Sequence, residues 1–202
     1  CVWSGRWVAC DTGRTGGVAE LPLGDLREGE VPLFGDLDGD GREDLCVRQG
    51  DVLACDTDHW GRPFEGTVRF GRGTSEETPL LGDVDGDGRA EACVRQGRQF
   101  LCDTGHDGGR AEWFVGFGRA TDTALLGDVD GDGVTDLVSP APAYGGNLGR
   151  VYVHSGRTGV PVPGLTLTGG VAGGRFGHAV ADAGDVTLDL VPDLIVGSPA
   201  PA

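Results

Sequence analysis

The sequence predicts an all-β fold, a β-propeller built from four-stranded blades of about 46 residues. Three observations carry that expectation: a unit that recurs along the chain, short β-branched runs inside it, and no window with a sustained 3.6-residue period. The segment Leu33-Phe34-Gly35-Asp36-Leu37-Asp38-Gly39-Asp40-Gly41 returns as Leu80-Leu81-Gly82-Asp83-Val84-Asp85-Gly86-Asp87-Gly88. It returns again as Leu125-Leu126-Gly127-Asp128-Val129-Asp130-Gly131-Asp132-Gly133. A weaker copy starts at Asp185, displaced by an insertion around residues 141–149.

The rest of the unit repeats as well. Cys1 and Cys10, Cys46 and Cys55, and Cys93 and Cys102 are each nine residues apart, and Asp-Thr follows the second Cys each time. Within one unit we expect strands near 78–81, 92–96, 99–103 and 112–117. A β-sandwich would not generate a fixed repeat of this length, and a β-helix usually repeats over fewer residues. The expected division is one repeat domain over 1–202, with units near 1–31, 32–78, 79–123, 124–175 and 176–202. By this count three complete blades stand between two partial ones, so the chain, which opens at Cys1, reads as a segment of a longer ring.

Composition narrows the class. The 39 glycines among 202 residues follow no period of three, which excludes collagen. No apolar run reaches the length of a membrane-spanning helix. The net charge is −16, from 32 acids against 16 bases, all of them Arg. A field of that sign repels phosphate backbones, so we expect no nucleic-acid partner and an affinity for cations or basic surfaces.

Much of the negative charge sits in the Asp-Gly segments, which offer oxygen at alternate positions. The first loop presents Asp36, Asp38, Asp40, the carbonyl of Arg42 and Asp44. The second presents Asp83, Asp85, Asp87, the carbonyl of Arg89 and Glu91, and the third Asp128, Asp130, Asp132, the carbonyl of Val134 and Asp136. Several carboxylates on a flexible loop select Ca2+ over metals that prefer nitrogen or sulfur, and over Mg2+, which keeps its waters. In the fourth loop Asp185, Thr187, Asp189 and Asp193 keep the spacing, but Leu188 and Leu190 replace both glycines, so weaker binding or none is expected. An EF-hand is excluded because position twelve holds Val47, Val94 or Ser139 where a bidentate Glu is needed. Tight turns alone would explain one such loop, and three in register argue for metal.

A polar turn around Gly50-Asp51 places Cys46 opposite Cys55, and the repeat extends that pairing to Cys93 with Cys102 and Cys1 with Cys10. Disulfides imply an oxidising compartment, so the expected location is secreted or cell-surface. Cys1 as a lipid-bearing residue and the cysteines as zinc ligands are the weaker alternatives. His59 and His106 share a repeat position, which is usually structural, and His154 and His178 lie elsewhere. Trp3, Trp7, Trp60 and Trp113 are either core residues or sugar-stacking surfaces. No catalytic motif is present, so we expect no enzyme.

The run Gly35-Asp36-Leu37-Asp38-Gly39-Asp40-Gly41-Arg42-Glu43-Asp44-Leu45 and its copies resemble the FG-GAP and VCBS repeats of integrin α subunits and many bacterial secreted proteins. Phe176-Gly177 and Val196-Gly197-Ser198-Pro199 resemble that family's unit ends, as do Ser139-Pro140-Ala141-Pro142 and Gly149-Arg150-Val151-Tyr152-Val153. The resemblance implies a seven-bladed propeller with calcium between the first and second strands of a blade, and a role in adhesion or ligand binding. The Cys pairs and the small number of blades depart from integrins. The expected function is therefore an extracellular calcium-binding module for a protein or glycan. The alternative is a non-catalytic repeat region of a larger secreted enzyme such as a polysaccharide lyase, hydrolase or phospholipase.

Overall fold

A computed structural model describes residues 2–4, 7–10, 21–58, 64–120 and 122–199, with side chains described from residue 26 onward. The elements are almost all strands. β1 (Val2–Ser4), β2 (Trp7–Cys10) and β3 (Leu21–Asp25) form one sheet. β4 (Val31–Gly35), β5 (Asp44–Gln49), β6 (Val52–Asp56) and β7 (Gly66–Arg69) form the second. The third holds β8 (Glu77–Gly82), β9 (Glu91–Gln96), β10 (Gln99–Asp103) and β11 (Trp113–Gly116). The fourth holds β12 (Leu125–Gly127), β13 (Asp136–Ala141), β14 (Arg150–His154) and β15 (Leu167–Thr168). β16 (Ala179–Gly184) and β17 (Asp193–Gly197) pair as the last. Among the described residues one short helical turn is present, Tyr144–Asn147, in the insertion between β13 and β14.

Each sheet is an antiparallel meander of consecutive strands, with β8 to β11 lying within two residues of the expected bounds. Two-residue turns close the central hairpins of the second and third sheets. Gly50 (φ 62°) and Gly97 (φ 58°) take their first turn position, where an L-residue with a Cβ would be strained. The register places Cys46 opposite Cys55 and Cys93 opposite Cys102, and both pairs are disulfide-bonded. The expected Cys1–Cys10 bridge lies outside the described residues, as do the placements of His59 and Trp60.

The apolar interior is divided into layers between neighbouring sheets. Cys46, Leu53 and Cys55 of the second sheet pack against Leu81 and Ala92 of the third. Phe100 and Val115 of the third meet Leu126 and Leu137 of the fourth, and Val138, Val151 and Val153 of the fourth meet Val180, Leu194 and Val196 of the fifth. Trp113 belongs to these layers: it packs beside Val84 and Cys93, and its Nε1–H donates to the Gly156 carbonyl of the next sheet at 2.6 Å. For Trp113 the packing role therefore holds over the sugar-stacking one.

The first strands of successive sheets lie side by side, β4 against β8, β8 against β12 and β12 against β16. They approach closely because they end in glycine. A Cβ on Gly82 would stand 2.7 Å from Thr135 Cγ2, and one on Gly35 would stand 2.8 Å from Ala90 Cβ. A cavity of about 500 Å³ opens among these strand ends, lined by Phe34, Asp36, Asp83, Gly127, Thr135 and Asp182.

Candidate metal centre

Each Asp-rich loop joins the first strand of its sheet to the second. Its first acid follows the closing glycine of β4, β8, β12 or β16, and its ninth-position acid opens β5, β9, β13 or β17. The backbone hydrogen bonds are the same from loop to loop. Asp83 accepts the N–H of Gly86 at 2.6 Å and that of Gly88 at 2.9 Å, Asp85 accepts Asp87 N–H, and Asp87 accepts Arg89 N–H. Asp36, Asp38 and Asp40 repeat the pattern, with Asp40 accepting Arg42 N–H. In the third loop Asp128 holds Gly131 and Gly133, and Asp132 accepts Val134 N–H. The glycines at positions four and six, such as Gly39 (φ 81°) and Gly41 (φ 85°), permit the curl.

The ninth-position acids are the inner wall. Asp44, Glu91 and Asp136 are each fully buried, and each accepts the N–H of the loop's second residue: Leu37 at 2.8 Å, Val84 at 2.6 Å and Val129 at 3.0 Å. Carboxylate oxygens of Asp83, Asp85, Asp87 and Glu91 lie within 4.8 Å of one another, as do those of Asp36, Asp38 and Asp40. Burial pushes Glu91 up to about 8, and repulsion from Asp85, Asp83 and Asp87 adds to it against the Val84 hydrogen bond. Asp136 is pushed up to about 6 by burial, with Asp130 adding and the N–H groups of Gly156, Val129 and Asp130 opposing. These are costs of gathering anions without a counter-charge, and a divalent cation relieves them. The carboxylate and carbonyl oxygens of the first and third loops fit a hard cation such as Ca2+.

The fourth loop keeps the backbone form despite its lost glycines. Asp193 accepts Val186 N–H at 2.7 Å, Asp185 accepts Asp189 and Leu190 N–H, and Asp189 accepts Val191 N–H. Leu188 (φ 62°) and Leu190 (φ 72°) are therefore held in the left-handed region with their side chains exposed. Such residues cost about 1–2 kcal/mol each. Replacing both with Gly should stabilise the fold by roughly 1 kcal/mol per site and so raise the midpoint of thermal unfolding; an unchanged or lowered midpoint by calorimetry would count against the strain.

Some features went unread in the sequence. Asp103, Asp107 and Glu112 gather at the turn after β10, and Asp56, Asp58 and Glu65 do the same one unit earlier. Arg48 of β5 reaches across to Glu77 of β8 at 2.7 Å. The equivalent Arg95 of β9 donates to the Arg119 carbonyl, close to Asp122, whose carboxylate holds Arg119 N–H at 2.8 Å. The signal was present: Glu77 and Asp122 each stand six residues before a loop, and Arg48 and Arg95 each four after one's ninth position. His154 is buried against the Phe117 ring, at 4.8 Å between centroids, and His178 is exposed.

Residues 120–154, which contain the third loop and strands β12 to β14, match the family model of the FG-GAP repeat. The chain carries an FG-GAP repeat. The loops at 36–44 and 83–91 share the hydrogen-bond pattern of the loop inside this FG-GAP match. No characterised protein in the curated comparison matches the chain.

Proposed function

We propose that the chain is a calcium-stabilised stretch of a β-propeller that acts outside the cell as a binding module for a protein or glycan, with no catalysis of its own. The observation that supports this most is the recurrence of one loop form, with carboxylates at alternate positions, at the same place in successive sheets of which one lies in an FG-GAP repeat. The oxidised cysteine pairs favour an oxidising compartment. Adhesion is the reading that the repeat family favours, and the net charge of −16 favours a basic partner surface or one bridged through cations.

In this reading Asp36, Asp38, Asp40 and Asp44 would hold one ion, and Asp83, Asp85, Asp87 and Glu91 another. Asp128, Asp130, Asp132 and Asp136 would hold a third, with the carbonyls of Arg42, Arg89 and Val134 completing the sets. Calcium calorimetry tests it directly. The oxidised chain should show at least three sites, and Asp85→Ala should remove one while leaving the others. An unchanged stoichiometry in that variant sinks the assignment.

A further inference from the structure

A histidine faces the second loop, whose ninth-position acid is Glu91 where the first and third loops have Asp44 and Asp136. His106, in the turn between β10 and β11, places Nε2 at 3.3 Å from Glu91 Oε1 and at 3.5 Å from Asp87 Oδ2. We propose that Asp87, Glu91 and His106 form a mixed nitrogen and oxygen site that takes a borderline divalent ion of the zinc class in preference to calcium.

Glu91 is fully buried, and while its Oε2 accepts the Val84 N–H, its Oε1 accepts no hydrogen bond. His106 Nε2 is equally buried and equally without a hydrogen-bond partner. Two buried polar atoms that face each other unbonded are costly, and a cation between them satisfies both. The spacing is right for it. Ligand atoms about 2.1 Å from a tetrahedral zinc ion lie about 3.4 Å apart, against the 3.3 and 3.5 Å measured here.

One ligand atom from each of Asp87, Glu91 and His106 falls within 4.8 Å of the others, which leaves a fourth position for Asp83, Asp85 or water. Imidazole favours zinc, cobalt and nickel, whereas calcium takes oxygen almost exclusively. The site is also held in place by covalent structure, because the Cys93–Cys102 bridge ties β9, which begins at Glu91, to β10, which leads to His106. Among the described residues no free thiol competes for the ion.

The inference rests on the second loop being a cation site, as proposed above, but not on calcium filling it. The test is zinc calorimetry on the full, disulfide-intact chain in millimolar calcium, paired with cobalt absorption spectra. One tight zinc equivalent is expected, with a cobalt band of the intensity that four- or five-coordinate nitrogen and oxygen sites give. His106→Asn, chosen because Asn tolerates the left-handed backbone at φ 52°, should weaken zinc by about a hundredfold or more and leave the calcium sites of the first and third loops intact.

Zinc affinity unchanged in that variant overturns the inference, as does a wild-type chain that binds calcium normally and no zinc; the latter leaves the calcium reading standing. Zinc bound through His106 with no calcium at any loop has the opposite meaning: the calcium reading falls and the mixed site stands. Should the variant fail to fold, the nitrogen chemical shift of the His106 ring in the wild-type chain decides, since direct ligation moves Nε2 on zinc addition and a merely ionic contact does not.

Discussion

In millimolar calcium the oxidised chain should melt far above its temperature in excess EDTA. An ion that binds only the native state adds about 2.7 kcal/mol at a concentration a hundredfold above its dissociation constant. Three filled loops would then add about 8 kcal/mol, which for a chain of this length raises the melting midpoint by something on the order of 20 °C. The physical source is visible in the loops. Asp83, Asp85, Asp87 and Glu91 converge within 4.8 Å, and Glu91 is driven up to about 8 by burial and by its neighbours' charge. The cation removes that repulsion in the native state alone. Calorimetric scans that coincide with and without calcium would mean that these loops are turns held by their own hydrogen bonds.

The second large effect is expected at Glu77. Burial by itself would raise this carboxyl, but the N–H groups of Arg72 and Gly73 and the Arg48 guanidinium outweigh it and hold Glu77 below its ordinary 4.5. The pair is closed to solvent, with 8% of the Arg48 side chain and 2% of that of Glu77 exposed. Glu77→Gln leaves the Arg48 charge buried without its partner and should cost about 3–5 kcal/mol. Replacing both while keeping an acceptor at 77, as Arg48→Met with Glu77→Gln, should recover part of that, because the Gln oxygen can still accept from Arg72 or Gly73. The exposed pair of Arg69 and Asp51 serves as the control, since Asp51→Asn should cost less than about 1 kcal/mol.

The direction with pH follows from the lowered pKa. Glu77 contributes stability that is fully present above 4.5, its ordinary value, and is lost as the pH falls through the folded value below it. Denaturant titrations at falling pH should show this acid limb in the wild-type chain and a shallower one in Glu77→Gln. Equal slopes would mean that the pair does not govern acid stability.

The strands and loops were legible in the sequence because they are local. The Asp-Gly spacing and the nine-residue Cys interval report turns and hairpins whose partners lie within ten residues. What pairs across sheets was harder to read. The bond of Arg48 to Glu77 spans 29 residues and appears only when neighbouring repeats are aligned and charges compared between them. His106 looked like a structural repeat position because its relation to Glu91 depends on how the turn after β10 folds back. The backbone form of the fourth loop was hard to read for another reason: two leucines argue against its curl, yet Asp185 and Asp193 hold enough N–H groups to keep it.

The seams between sheets are themselves a repeated part. The carbonyl of Asp36, the first residue of one loop, accepts the N–H of Ala90, the eighth residue of the next, and Asp83 does the same for Thr135, both at 2.6 Å. A unit copied in tandem therefore arrives already carrying the donor for the junction before it and the acceptor for the junction after it. The array can lengthen by duplication without inventing a new interface, and each copy is then free to vary its loop, as the second carries Glu91 at its ninth position and the fourth has lost its glycines. At the eighth place of the fourth loop stands Pro192, which has no N–H to give. That copy has diverged at its junction as well as in its loop, and the inherited stitching runs unbroken only up to it.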